Sequence, residues 1–274
     1  MIAASFPAAP LRKMADQPGP LVALCLALCV IAVGGAVFDD RLLQGVPVWV
    51  KPLKFSVSFV VYFATLGWVV NRLSAPVRNG WAVWVALVLA VLASVFEQGY
   101  IFAMAGRAEA SHFNDSGVFF VAMYALMGLG AALLMVSVAV IGWAAYRDRQ
   151  AAMGPGLRIG VGLGFALSTG LTLVIGFTLG GNGGHFVGVP APGAATLPLF
   201  GWSATVGDLR PAHFFGLHAM QAGPLLGWVL DRRGVARPRF WVVLGLAGYS
   251  LFSLFLFVQA LAGLPLTDLA VLGL

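Results

Sequence analysis

Seven stretches of this chain are apolar over about 20 residues or more, the length a helix needs to cross a bilayer. They run near residues 19–38, 53–73, 80–106, 117–145, 158–181, 211–230 and 239–263. Inside hydrocarbon no water satisfies the backbone, so such stretches fold as helices whose N–H and C=O groups bond one another. The expected fold is therefore all-α: a polytopic membrane helix bundle with about seven transmembrane helices. Composition agrees, since 60% of the 274 residues are hydrophobic and only 9% charged, against about a quarter charged in soluble domains.

The formal net charge of +6 does not point to nucleic acid, because the basic residues sit in the short links between apolar stretches, where they orient membrane helices. The N-terminus and the second, fourth and sixth links hold Arg12, Lys13, Arg72, Arg78, Arg147, Arg149, Arg158, Arg232, Arg233, Arg237 and Arg239. The opposite side holds Arg41, Lys51, Lys54, Arg107 and Arg210. This bias predicts a cytoplasmic N-terminus, a periplasmic C-terminus and a multi-pass protein of the bacterial inner membrane, with the lipid bilayer as its one definable partner. The first stretch also has features of a signal peptide, with Arg12 and Lys13 ahead of it and Gly34, Gly35 and Ala36 at its end, although its apolar core is long for one. Cys25 and Cys29 share a helix face in that stretch as small hydrophobes and match no zinc or CxxC pattern.

The expected organisation is a cytoplasmic tail over 1–18, a transmembrane domain over 19–263 and a short C-terminal tail over 264–274. Residues 182–210, rich in Gly and Pro and carrying Trp202, read as a periplasmic loop or lid. Gly160, Gly164, Gly170 and Gly176 suit close approach of the fifth helix to a neighbour.

On this topology His112, His185, His213 and His218 all fall on the outer side. Glu97 lies in the third stretch about 12 Å below its outer end, and His218 lies about 10 Å below the start of the sixth. A charge at that depth costs on the order of 3 kcal/mol, so each is expected to face the bundle interior with a partner. Lys54, Ser58, Tyr62 and Thr65 draw a polar stripe down the second helix. Phe214, His218 and Gln221 share one face of the sixth, and His213 is turned away from it, so the two histidines are not expected to chelate one ion. Pro224 frees the carbonyl of Met220 and is expected to kink this helix. Asp208 and Arg210 read equally as a helix cap with an interfacial anchor and as site residues. Lys51 and Lys54 read as site groups or as side chains that snorkel to the interface.

KPLKF at 51–55, ASHFN at 110–114 and LPLFGWSATVGDLRPAHFFGLHAMQ at 197–221 resemble the signature stretches of a family of uncharacterised bacterial inner-membrane proteins. The likeness runs from about residue 47 to 230 and implies several membrane helices, but it lends no activity and no catalytic residues. Gly223, ahead of Pro224, departs from the bulky apolar residue expected there. Other classes are excluded by what the chain lacks: a lysine in the seventh stretch for a retinal Schiff base, the histidine boxes of desaturases, HExxH, GxSxG and a periplasmic cysteine pair.

The expected site is an outward-facing pocket formed by the second, third and sixth helices. Glu97 and His218 would be its catalytic pair, and Lys54, Ser58, Tyr62, Gln98, Asn114, Asp208, Arg210 and Gln221 its ligand-binding residues. His112, His185, His213, His218 and Glu97 would hold a transition metal or haem for redox chemistry. A haem held between two helices would need a membrane histidine outside the sixth, and none is present. Two other readings stand beside this one: a proton-coupled small-solute transporter or sensor without metal, and an accessory subunit of a membrane complex. Whether the protein is an enzyme is left open.

Overall fold

The structure, a computed structural model, describes residues 18–268. The expected N-terminal tail, with Arg12 and Lys13, and residues 269–274 lie outside the described residues. Among those described, the chain forms an all-α membrane bundle. Its helices are α1 (Pro18–Phe38), α2 (Val50–Val70), the short α3 (Ala75–Arg78), α4 (Trp81–Gly106), α5 (Val118–Arg147), α6 (Pro155–Gly181), α7 (Leu209–Arg232) and α8 (Pro238–Leu261). Two small antiparallel pairs join them: β1 (Leu42–Leu43) with β2 (Val46–Pro47), and β3 (Phe186–Val187) with β4 (Gly207–Asp208).

Six of these helices are long and apolar enough to cross a membrane, and α7 is not among them. It is 24 residues long, ample for the distance, but Arg210, His213, His218, Gln221, Asp231 and Arg232 lower its hydropathy. The second helix begins and ends three residues earlier than the apolar pattern suggests, because Pro52 is tolerated in a first turn, where its missing N–H has no helical partner. Lys51 is thereby drawn into the helix.

The helices fall into two compact units, one up to Ala152 and one from Met153. In the first, α2 packs against α1, α4 and α5, and α4 packs against α5. The hairpin link after α1 is pinned by Asp39, which accepts from Arg41 Nε at 2.8 Å and from Trp49 Nε1 at 2.8 Å. Arg41 in turn donates to the Gly106 carbonyl at the end of α4, at 3.0 Å. The Trp49 ring lies against Gly35 of α1, where a Cβ would not fit.

In the second unit, α6 and α7 lie antiparallel along a seam of small residues. A Cβ placed on Gly156 would stand 2.8 Å from the Gly227 carbonyl oxygen, and one on Gly164 would stand 2.7 Å from that of Ala219. Gly160 meets the Gly223 carbonyl between them, and Ser168 Oγ donates to the Leu217 carbonyl at 2.7 Å. Every fourth residue of α6 thus faces α7, the spacing that keeps one helix face in register. Gly170 is off this stripe with open space around it, so the sequence expectation fails for that glycine. The departure at Gly223 has a physical reason: a Cβ there would lie 2.5 Å from the Gly160 oxygen and 2.9 Å from Gly164 Cα. The helix continues through Pro224 to Arg232.

Asp231, at the far end of α7, closes the seam. Its carboxylate accepts from the backbone N–H groups of Gly156 at 2.8 Å and Leu157 at 2.7 Å, satisfying donors of the first turn of α6 that have no partner within the helix. Replacing Asp231 by Ala should destabilise the fold by the ~1 kcal/mol typical of a lost cap, read as a lower thermal midpoint in detergent, and Asn should recover part of it. Gly223→Val forces two backbones apart and should abolish a monodisperse folded species in size-exclusion chromatography.

Candidate functional site

In the first unit the polar groups gather where α2, α4 and the loop between α4 and α5 meet. Glu97 stands on α4, an otherwise apolar helix, and is 3% exposed. Its carboxylate has room because α5 presents Gly130, on which a Cβ would lie 3.0 Å from Glu97 Oε1. That oxygen is buried and has no hydrogen-bond partner. The next residue, Gln98, donates from Nε2 to Ser56 Oγ at 2.9 Å, and Ser56 donates to the Pro52 carbonyl at 2.8 Å. Gln98 Oε1 is also buried without a donor.

Lys51, half-buried in the first turn of α2, lies within electrostatic reach of Glu97 and His112. No hydrogen bond or ion pair ties it to any described residue. His112 sits in the loop with its ring among Phe55, Phe113 and Tyr124, at centroid separations of 5.6, 6.5 and 5.9 Å. Its Nδ1 is 3.2 Å from Ser111 Oγ. Burial, reinforced by the Lys51 charge, pushes the His112 imidazole down to about 3. Asn114 braces the same loop, donating to the Ala110 carbonyl at 3.0 Å and accepting from Ser116 Oγ at 2.6 Å.

The polar stripe expected on the second helix is divided. Tyr62 is buried, with its hydroxyl donating to the Leu134 carbonyl of α5 at 2.9 Å, whereas Lys54 and Ser58 are exposed. Spacing gives a shared helix face but not which face a neighbour covers, and in the first turns of α2 the covered face is the one that carries Pro52, Ser56 and Phe59. Ser56, midway between Lys54 and Ser58 and so on the opposite face of the helix, is the buried polar residue of that turn.

In the second unit Asp208 is the cap of α7, accepting from Arg210 N at 3.0 Å, from Ser203 N at 2.9 Å and from the Arg210 guanidinium at 2.6 Å. Arg210 also donates to the Gly201 carbonyl at 2.8 Å and lies 5.3 Å over the Phe186 ring. The two residues hold the link before α7 in place, and Trp202 closes it by stacking on Phe200 at 4.5 Å and meeting Phe214 of α7 at 5.7 Å. His185 contributes its carbonyl to Leu209 N at 2.9 Å, while its ring lies against Phe186.

His213 and His218 occupy different faces of α7. His213 lies against Gly176 of α6 with its Nδ1 buried and unpartnered. His218 Nδ1 is 3.0 Å from Gln221 Oε1, so it has a partner on its own helix, and its ring is 4.3 Å from that of Phe214. Of the five residues expected to bind metal, Glu97 and His112 belong to the first unit and His185, His213 and His218 to the second. Among the described residues no three His, Cys, Asp or Glu side chains come together as a metal ion would require.

The sequence reading missed the Asp231 cap, the Ser56–Gln98 bond and the buried Thr172 Oγ1 and Ser250 Oγ, which have no hydrogen-bond partner. Only the charge of Asp231 at a helix end gave any signal. Set against known families, curated proteins and solved structures, the chain matches none.

A histidine whose folded pKa is depressed supports the fold above its unfolded value near 6.5, and loses that support as pH falls toward about 3. Thermal stability should therefore decline between pH 7 and 4, and His112→Phe should flatten that part of the profile. An imidazole nitrogen NMR signal of His112 that moves between pH 7 and 5 would contradict this.

Proposed function

We propose that the protein is an inner-membrane carrier that moves a small solute together with a proton, with Glu97 as the proton-bearing group. The observation that carries this reading is the buried Glu97 carboxyl, which has an oxygen without a hydrogen-bond donor and Lys51 as the cation within reach. A carboxyl at membrane depth is expensive to keep for packing alone, and such groups mark ion and proton paths. A metal or haem centre has less support, since among the described residues its expected ligands form no group of three.

The orientation that goes with this reading has a cytoplasmic N-terminus, with α7 crossing alongside α6 as the seventh span. Three Arg–Trp pairs one helical turn apart favour it: Arg72 over Trp68 at 4.4 Å, Arg147 over Trp143 at 5.5 Å and Arg232 over Trp228 at 5.2 Å. Each ends a helix on the side assigned to the cytoplasm, where Arg and Trp anchor spans at the interface. A reporter active only outside the cytoplasm should work when fused after Asp115 and fail after Arg149 or Arg233. The reverse pattern would place Glu97 toward the cytoplasm.

Infrared difference spectra recorded across a pH titration test the proton site. The carbonyl stretch of a protonated, buried carboxyl should come and go with pH and be missing in Glu97→Gln. If wild type and variant give identical spectra, Glu97 carries no exchangeable proton and the carrier reading fails.

A further inference from the structure

The loop between α4 and α5 forms a cavity of about 450 Å3 that opens to the surface. That volume falls within the roughly 300–1,000 Å3 of small-molecule sites. Its polar lining is Arg107, Glu109, Asn114, Asp115 and Ser116. Phe113 and Phe120 supply two aromatic walls.

Most of the polar lining is already engaged. Arg107 donates to Glu109 Oε1 at 2.8 Å. Asn114 Nδ2 donates to the Ala110 carbonyl at 3.0 Å, and its Oδ1 accepts from Ser116 N at 3.1 Å and Ser116 Oγ at 2.6 Å. Two acceptors are left over. Glu109 Oε2 is buried without a hydrogen-bond partner. Asp115 is exposed and makes no ion pair with any described residue. The charges lead to the same remainder: Arg107 cancels Glu109, and the negative charge of Asp115 is left. Arg41, which reaches the Gly106 carbonyl at the end of α4, does not alter this balance, because Asp39 pairs with it at 2.7 Å.

The walls are held from behind. Phe113 has a left-handed backbone, at φ 55°, uncommon for a bulky residue, and its ring lies 5.0 Å from that of Tyr124. Phe120 packs against the buried cluster of Tyr100, Ile101, Met104 and Met127. Aromatic rings attract a cation that comes within about 6 Å of their faces. A ligand matched to this cavity therefore carries one positive charge, N–H groups for the two leftover acceptors, and a short apolar part.

We propose that the cavity binds a small organic ammonium ion, whose N–H groups serve Glu109 Oε2 and the Asp115 carboxylate and whose carbon chain lies along Phe113 and Phe120. The site is separate from Glu97 and does not depend on the carrier reading. Binding is non-covalent.

Calorimetric titration of n-butylammonium chloride into protein purified in a neutral detergent tests this. Saturable binding of one equivalent is expected, and it should weaken as sodium chloride is raised, since Asp115 is open to screening. Asp115→Asn should weaken binding about tenfold, the worth of one charge-assisted hydrogen bond. Asp115→Lys brings a cation of its own to the cavity and should abolish binding. Asp115 is exposed and unpaired, so both variants should keep the wild-type thermal midpoint, and lost binding then reports the site and not the fold. Tetramethylammonium has the charge without N–H groups and should bind more weakly; n-butanol has the chain without the charge and should not bind. Absence of saturable butylammonium binding, or binding that survives Asp115→Lys, overturns the proposal. Equal binding by tetramethylammonium or by propionate overturns it as well, the first by removing the role of Glu109 Oε2 and the second by giving the cavity to Arg107. Complete displacement of butylammonium by an equal concentration of magnesium chloride would show a site for inorganic cations instead.

Discussion

Water is absent from the depth at which most of this chain folds, so each polar group there must find its partner within the protein. Most of the hydroxyls meet this requirement. Ser56, Thr65, Ser137, Thr169 and Thr178 each donate to the carbonyl four residues back. Tyr62, Ser168 and Ser253 donate across to a neighbouring helix. These groups are silenced, whereas Tyr100, Thr172 and Ser250 keep buried hydroxyls without a partner, and Glu97 and Gln98 a buried side-chain oxygen each.

The fold was largely legible because one property, apolar length, decides where a membrane helix runs. The five apolar stretches from 80–106 onward and the first, 19–38, appear as helices within a few residues of their expected ends. What apolar length cannot convey is which faces meet. Gly160 and Gly164 belong to the seam with α7, Gly170 does not, and Gly156 joins from the first turn. The difference lies in a four-residue phase set by the partner helix. The partner's own small residues, Gly223 and Gly227, acquire meaning only once the two are laid side by side.

The site was legible in part for a similar reason. A carboxylate in an apolar run is conspicuous, so the burial of Glu97 was expected from sequence. Lys51 was harder, because a lysine near a helix start reads equally well as a side chain reaching for the interface. The histidines were grouped by the side of the membrane that the charge bias assigned to them, and an assigned side says nothing about sharing a cavity. His218 is held by Gln221 three residues away and Asp208 by Arg210 two residues away, local pairings that short-range spacing permits but does not require.

The Asp231 carboxylate and the small-residue seam give α6 and α7 a property beyond tight contact. At one end they are joined by a charge-assisted cap, along their length by backbone contact, and at the other end by β3, β4 and the Asp208–Arg210 clasp. All of these contacts lie between Gly154 and Arg232. During synthesis the hairpin therefore has everything it needs to close before α8 leaves the ribosome, and α8 docks onto a surface already made.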